Sequence, residues 1–118
     1  MVSIKTFRDL DIWKKGIELV TEVYKTTASF PSSELYGLAL QMRRASVSVP
    51  SNVAEGFRRK GSKEFKHFLN IALGSLAELE TQCAIAKELN YLKGDSETLL
   101  LEFIDHISRM ITNLSKRL

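Results

Sequence analysis

The sequence predicts an all-α protein, an antiparallel up-down-up-down four-helix bundle, and three observations carry that prediction. Apolar residues recur at three- and four-residue spacing through four long segments. The breaks between the segments are short and hold proline, glycine and serine, so consecutive helices must run antiparallel. Only two prolines and six glycines occur in 118 residues, and clusters of β-branched and aromatic residues that favour strands are missing.

The first helix is expected from about Asp9 to Thr27, with Leu10, Trp13, Ile17, Val20 and Tyr24 as its inner stripe. "SFPSSE" ends it, because Pro31 disfavours helical backbone at Phe30 and Ser32 or Ser33 can cap the second helix. That helix begins near Glu34, turns Leu35, Leu38, Met42, Ala45, Val49 and Val53 inward, and continues through Pro50 to about Phe57. Pro50 lacks the amide that would bond to the Ser46 carbonyl, so a kink is expected there, with the Ser46 and Ser48 hydroxyls serving strained carbonyls.

"RRKGS" forms the next break, where Gly61 is expected at positive φ and Ser62 as the N-cap. The third helix places Phe65, Leu69, Ala72, Leu76, Leu79, Cys83 and Ala86 on one face and runs to about Asn90. "YLKGDS" ends it, with Gly94 as terminator and Asp95 or Ser96 as the next cap. The fourth helix uses Leu99, Leu100, Phe103, Ile107, Met110, Ile111 and Leu114. At roughly 24 and 28 residues, the second and third helices would be about 36 and 42 Å long.

A chain of this length fits one domain, spanning residues 1–118. One cysteine, Cys83, excludes an intramolecular disulfide and a paired-cysteine zinc site. No apolar run approaches the roughly 20 residues that span a bilayer, and the N-terminal "MVSIKTFRDLDIW" has no signal-peptide core, so a cytoplasmic location is expected. Tyr36, Leu40, Val47, Phe68, Ile71 and Ile85 lie off the inner stripes. Either the core-facing arcs are wide or these residues form a subunit interface in a homo-oligomer.

The net charge of +3 is unevenly placed. Between Gly56 and His67, Arg58, Arg59, Lys60, Lys63 and Lys66 face Glu64 alone, a local +4 that leaves −1 for the rest. Cations in the first turns of a helix oppose its dipole, so stability alone would not select Lys63 and Lys66 there. The cluster suits phosphate oxygens, with Arg43 and Arg44 as secondary candidates, although a solvated turn explains it equally well. Asn52 and Glu55 fall near the inward side around Val53, and Ser75 and Glu78 share a face beside Leu76 and Leu79. These four are expected to form a structural polar network that fixes helix register or assembly.

Catalytic constellations are missing: there is no phosphate loop, nucleophile elbow or cysteine–histidine motif, and no cofactor is implied. Glu64-x-x-His67 has the helical spacing of di-iron carboxylate bundles, but His106 has Phe103 where the second glutamate would stand. A solvated pair is the simpler account, and no metal site is expected.

Four segments carry a resemblance over nearly the whole chain: "FRDLDIWKKG", "FPSSELYGLALQMRRA", "SVPSNVAEG" and "FLNIALGSLAELET". In them the chain resembles the four-helix-bundle proteins encoded by intervening sequences of bacterial 23S ribosomal RNA genes. Gly16 stands where that family more often has alanine, which is expected to weaken the first helix slightly. The resemblance implies a ring-like homo-oligomer, typically a pentamer, a role in RNA binding and no catalytic residues. The chain is also similar to the accessory variability proteins of diversity-generating retroelements, which implies a basic surface that joins nucleic acid and a reverse transcriptase. Taken together, a non-enzymatic module for structured RNA is expected, with a protein–protein adaptor as the alternative.

Overall fold

The computed structural model describes residues 3–118; Met1 and Val2, which open the N-terminal stretch, lie outside the described residues. Four helices account for most of it: α1 (Asp11–Thr27), α2 (Leu38–Arg58), α3 (Ser62–Glu88) and α4 (Gly94–Lys116). Among the described residues there is no strand. Each helix packs on its neighbours in chain order and α4 closes on α1, while the diagonal pairs make no close backbone approach. This is the expected four-helix bundle. Its long dimension is 43 Å, close to the roughly 40 Å of the 27-residue α3.

The helix ends depart from expectation in instructive ways. A 3-10 turn, Phe7–Asp9, precedes α1 and carries a capping box: Thr6 Oγ1 accepts from the Arg8 amide at 3.1 Å, and Asp9 Oδ2 accepts from the Lys5 and Thr6 amides. The second helix starts at Leu38 rather than near Glu34, after a 3-10 turn at Ser32–Glu34. Neither serine caps it. Instead Glu34 Oε1 accepts from the Leu38 amide at 3.1 Å, and its Oε2 accepts from Tyr91 Oη at 3.2 Å. The α1–α2 and α3–α4 connections are thereby tied at one end of the bundle.

At the α2–α3 turn the left-handed residue is Lys60 (φ 61°), not Gly61, because the position after the helix's last capping residue takes that conformation. Gly61 is extended and acts as the N-cap of α3, which pushes Ser62 into the helix without a side-chain cap. Similarly, α3 ends in a Schellman motif with Asn90 at φ 62°. The Tyr91 amide donates to the Ala86 carbonyl at 2.9 Å and the Asn90 amide to that of Lys87 at 3.0 Å. Gly94 therefore opens α4 instead of ending α3, the N-cap is Lys93, and Asp95 lies in the first turn.

The core is one contiguous cluster contributed by all four helices, with Phe30 and Leu92 from the connections. Six of the seven residues expected on the inner face of α3 are buried and the seventh, Phe65, is partly so. For α1 the expected stripe is wrong by one residue. Ile12, Gly16, Leu19 and Val23 face the core, whereas Ile17 and Tyr24 remain 42% and 45% exposed and Trp13 and Val20 are half-buried. The cause is contact with α2: Gly16 sits against Pro50, where an added Cβ would lie 3.1 Å from the proline Cβ. Glycine there lets α1 approach the buried Pro50 ring closely, a role beyond weakening the helix. α2 itself runs without a break through Pro50.

Candidate functional site

The last turn of α2, the α2–α3 connection and the first turns of α3 place Arg58, Arg59, Lys60, Lys63 and Lys66 at one end of the bundle, all exposed. Arg59 is partly committed: its Nη2 donates to Glu55 Oε1 at 2.9 Å, and its guanidinium lies 5.2 Å from the Phe68 ring centroid. Among the described residues, Arg58, Lys60, Lys63 and Lys66 have no acidic side chain within 4.0 Å. Four neighbouring cations thus remain unneutralised.

The fold adds to them. The 3-10 turn at Phe7–Asp9 packs on α2, and the Arg58 guanidinium stacks 5.3 Å from the Phe7 ring centroid. Arg8 stands 5.8 Å from both Phe7 and Trp13, and Lys5 lines the same recess as Arg58 and Lys60. Lys5 and Arg8 escape a reading of local charge because they are about 50 positions away from the cluster they join. The one available signal is the pairing of cations with Phe7 in "IKTFRDL". Asp9 belongs to the same turn, but bonds from the Lys5 and Thr6 amides occupy its carboxylate and hold it below its ordinary range.

Arg43 is used differently from Arg44. Its Nε donates to Thr27 Oγ1 at 2.9 Å, its Nη2 reaches the Tyr24 carbonyl at 3.5 Å, and its guanidinium covers the Tyr24 ring at 4.6 Å. It therefore pins α2 to the C-terminal turn of α1, where carbonyls carry the negative end of the helix dipole. Arg44 is exposed and, among the described residues, has no ion-pair partner.

Of the four polar candidates, the structure brings two together. Asn52 Nδ2 donates to the Ser48 carbonyl at 2.8 Å and to Ser48 Oγ at 2.9 Å; Ser75 Oγ donates to Ser48 Oγ at 2.8 Å. Ser48 is the link across the α2–α3 interface. Glu55 and Glu78 stand outside this chain of bonds: Glu55 pairs with Arg59, and Glu78 accepts from Gln82 Nε2 at 3.3 Å, each within its own helix. His67 packs edge-on against Phe68, 5.2 Å between centroids. Among the described residues, no three of histidine, cysteine, aspartate and glutamate gather closely enough to hold a metal ion. No described helix is long and apolar enough to cross a membrane.

Fold and surface together define a four-helix bundle with a cationic, aromatic-backed end. The chain belongs to the 23S rRNA-intervening sequence protein family, whose model matches residues 8–113. Among solved structures it is similar to a protein of unknown function from the S23 ribosomal protein family of Bacteroides thetaiotaomicron VPI-5482. The two share 18% identity at a TM-score of 0.79, over 89% of this chain and 98% of that one. At that identity the likeness speaks for the fold. No curated protein matches the sequence.

Proposed function

We propose that this chain is a non-enzymatic, oligomeric nucleic-acid-binding bundle that engages structured RNA in the cytoplasm through its cationic end. The carrying observation is the set of unneutralised cations Arg58, Lys60, Lys63 and Lys66, joined in space by Lys5 and Arg8. Phosphate oxygens are the natural complement, and release of their counterions supplies the affinity. Membership of a family named for an intervening sequence in ribosomal RNA supports RNA as the polymer.

Oligomerisation is the second part of the proposal. Trp13, Ile17, Val20, Val47, Pro50 and Ala54 line an apolar groove of about 300 Å³ between α1 and α2. Tyr36, at 86% exposed, is the most exposed large apolar residue of the chain's described part. A second copy seated in the groove would cover its apolar lining, and a closed ring, a pentamer by resemblance, would repeat each basic end and raise avidity. The same groove also favours the adaptor reading, in which a different protein occupies it.

The test is RNA affinity against salt. If four phosphates are neutralised per chain, the log–log slope on duplex RNA is about −3.6, and Arg58→Glu weakens binding and flattens that slope. Salt-independent binding, or none at low salt, refutes the reading. Light scattering at tens of micromolar should give a mass several times the 13.4 kDa of one chain, five times for a pentamer. A monomer refutes the interface.

A further inference from the structure

Within the cationic end lies a cleft of about 340 Å³, walled by the N-terminal turn on one side and the end of α2 on the other. Its lining is Lys5, Thr6, Phe7, Phe57, Arg58 and Lys60. Resting on the nucleic-acid reading above, we propose that this cleft holds one unpaired nucleotide of an RNA strand. The phosphate sits on Lys5 and Lys60, and the base lies against Phe57 and the guanidinium plane of Arg58, which Phe7 backs.

Size is the first reason. Small-ligand sites run from about 300 to 1,000 Å³, so this cleft suits a single nucleotide and excludes a paired duplex. Composition is the second. Unpaired bases are taken up by stacking on aromatic rings and guanidinium planes, and their phosphates by nearby cations. Both elements occur here on opposite walls, brought together by the fold rather than by sequence proximity.

Preorganisation is the third reason. Phe7 is backed by Trp13 at 5.4 Å and Phe57 by Phe65 at 6.0 Å, edge-on, so neither ring is free to collapse into the cleft. Arg58 is already fixed over Phe7, and Asp9, the acid on the N-terminal turn, is bonded to backbone amides rather than to a lysine.

The test compares two RNA probes of equal nucleotide number, a hairpin with an unpaired loop and a blunt, fully paired duplex. The variant Lys5→Ala/Lys60→Gly removes two exposed cations, and glycine accepts the left-handed backbone at position 60, so folding is retained. Its expected effect is an affinity for the hairpin lowered about tenfold at about 0.15 M salt. The salt slope on the hairpin should become shallower by about 0.7, from the one phosphate the cleft holds on a single strand, and the duplex, which cannot enter the cleft, should lose less affinity than the hairpin. Lys63→Ala/Lys66→Ala, outside the cleft, should weaken both probes alike. Uridine monophosphate titrated into the full chain should shift the amide resonances of Lys5–Phe7 and Phe57–Lys60.

Equal losses on both probes, or an unchanged hairpin affinity, overturn the cleft and leave the general RNA-binding proposal standing. Failure of the wild-type chain to bind either probe at low salt overturns both.

Discussion

Replacing Gly56 with alanine tests how closely α2 and α3 must approach to build the basic end. The new Cβ would stand 2.7 Å from Phe68 Cβ and 3.1 Å from Phe65 Cδ1. A Cβ cannot swing away as the tip of a side chain can, so the clash is relieved only by moving the helices apart. Overpacking of this kind costs about 1–3 kcal/mol, against which alanine returns up to about 1 kcal/mol of helix propensity. The expected net is a loss of about 1 kcal/mol.

Gly74, inside α3, supplies the control: an added Cβ there meets nothing within 4 Å, so Gly74→Ala should gain about 1 kcal/mol. The same chemical change at two glycines is therefore expected to differ by about 2 kcal/mol, about 8 °C in Tm for a chain of this size. Urea and thermal unfolding at one fixed protomer concentration measure it, since association shifts apparent stability. If Gly56→Ala is as stable as Gly74→Ala, the close α2–α3 contact is not what holds this end. Because Arg59 stacks on Phe68, the same variant should also disturb the basic turn.

Arg43→Lys should lower stability by about 1 kcal/mol by losing the forked contact to Thr27 and Tyr24, yet leave the RNA salt slope unchanged, whereas a changed slope would make Arg43 a phosphate contact. Ser48→Ala strips a partner from both Asn52 and Ser75 and should cost about 1–2 kcal/mol; a double-mutant cycle with Ser75→Ala that shows no coupling would refute the link. Burial, helped by Glu80 and Glu97, pushes the Cys83 thiol up to about 12. Its native value lies above the ordinary 9.0, so its contribution to stability is complete below pH 9.0 and fades as pH rises towards about 12. Thiol reagents at neutral pH should label it only as urea opens the bundle, and fast labelling of the native chain would contradict that burial.

The four helices were legible because each carries enough apolar repeats to mark a buried face whatever its neighbours are. α3 shows this best: packed between α2 and α4, it buries six of the seven residues of its expected stripe, while Ile71 and Ile85 stay exposed. α1 offers two stripes one residue apart, Trp13–Ile17–Val20–Tyr24 and Ile12–Gly16–Leu19–Val23, and periodicity favours the one without a glycine. The close approach of Pro50 selects the other. Cap positions failed for a related reason. Ser62 and Ser96 are good capping residues in isolation, but where a helix starts is set by the backbone geometry at the turn, here by the left-handed Lys60 before α3 and the left-handed Gly94 that opens α4.

For the candidate site, the sequence alone supplied the cluster from Arg58 to Lys66, since charge density is a local property of the chain. Tertiary structure decided which of those charges remain available. It turned Arg43 into a tie between α1 and α2, and carried Lys5, Phe7 and Arg8 across to Arg58. Such contacts join residues distant along the chain, and their geometry depends on how the helices pack. Local pattern thus fixes which helices form and how charged each is, while packing fixes which face is buried and which cations stand together.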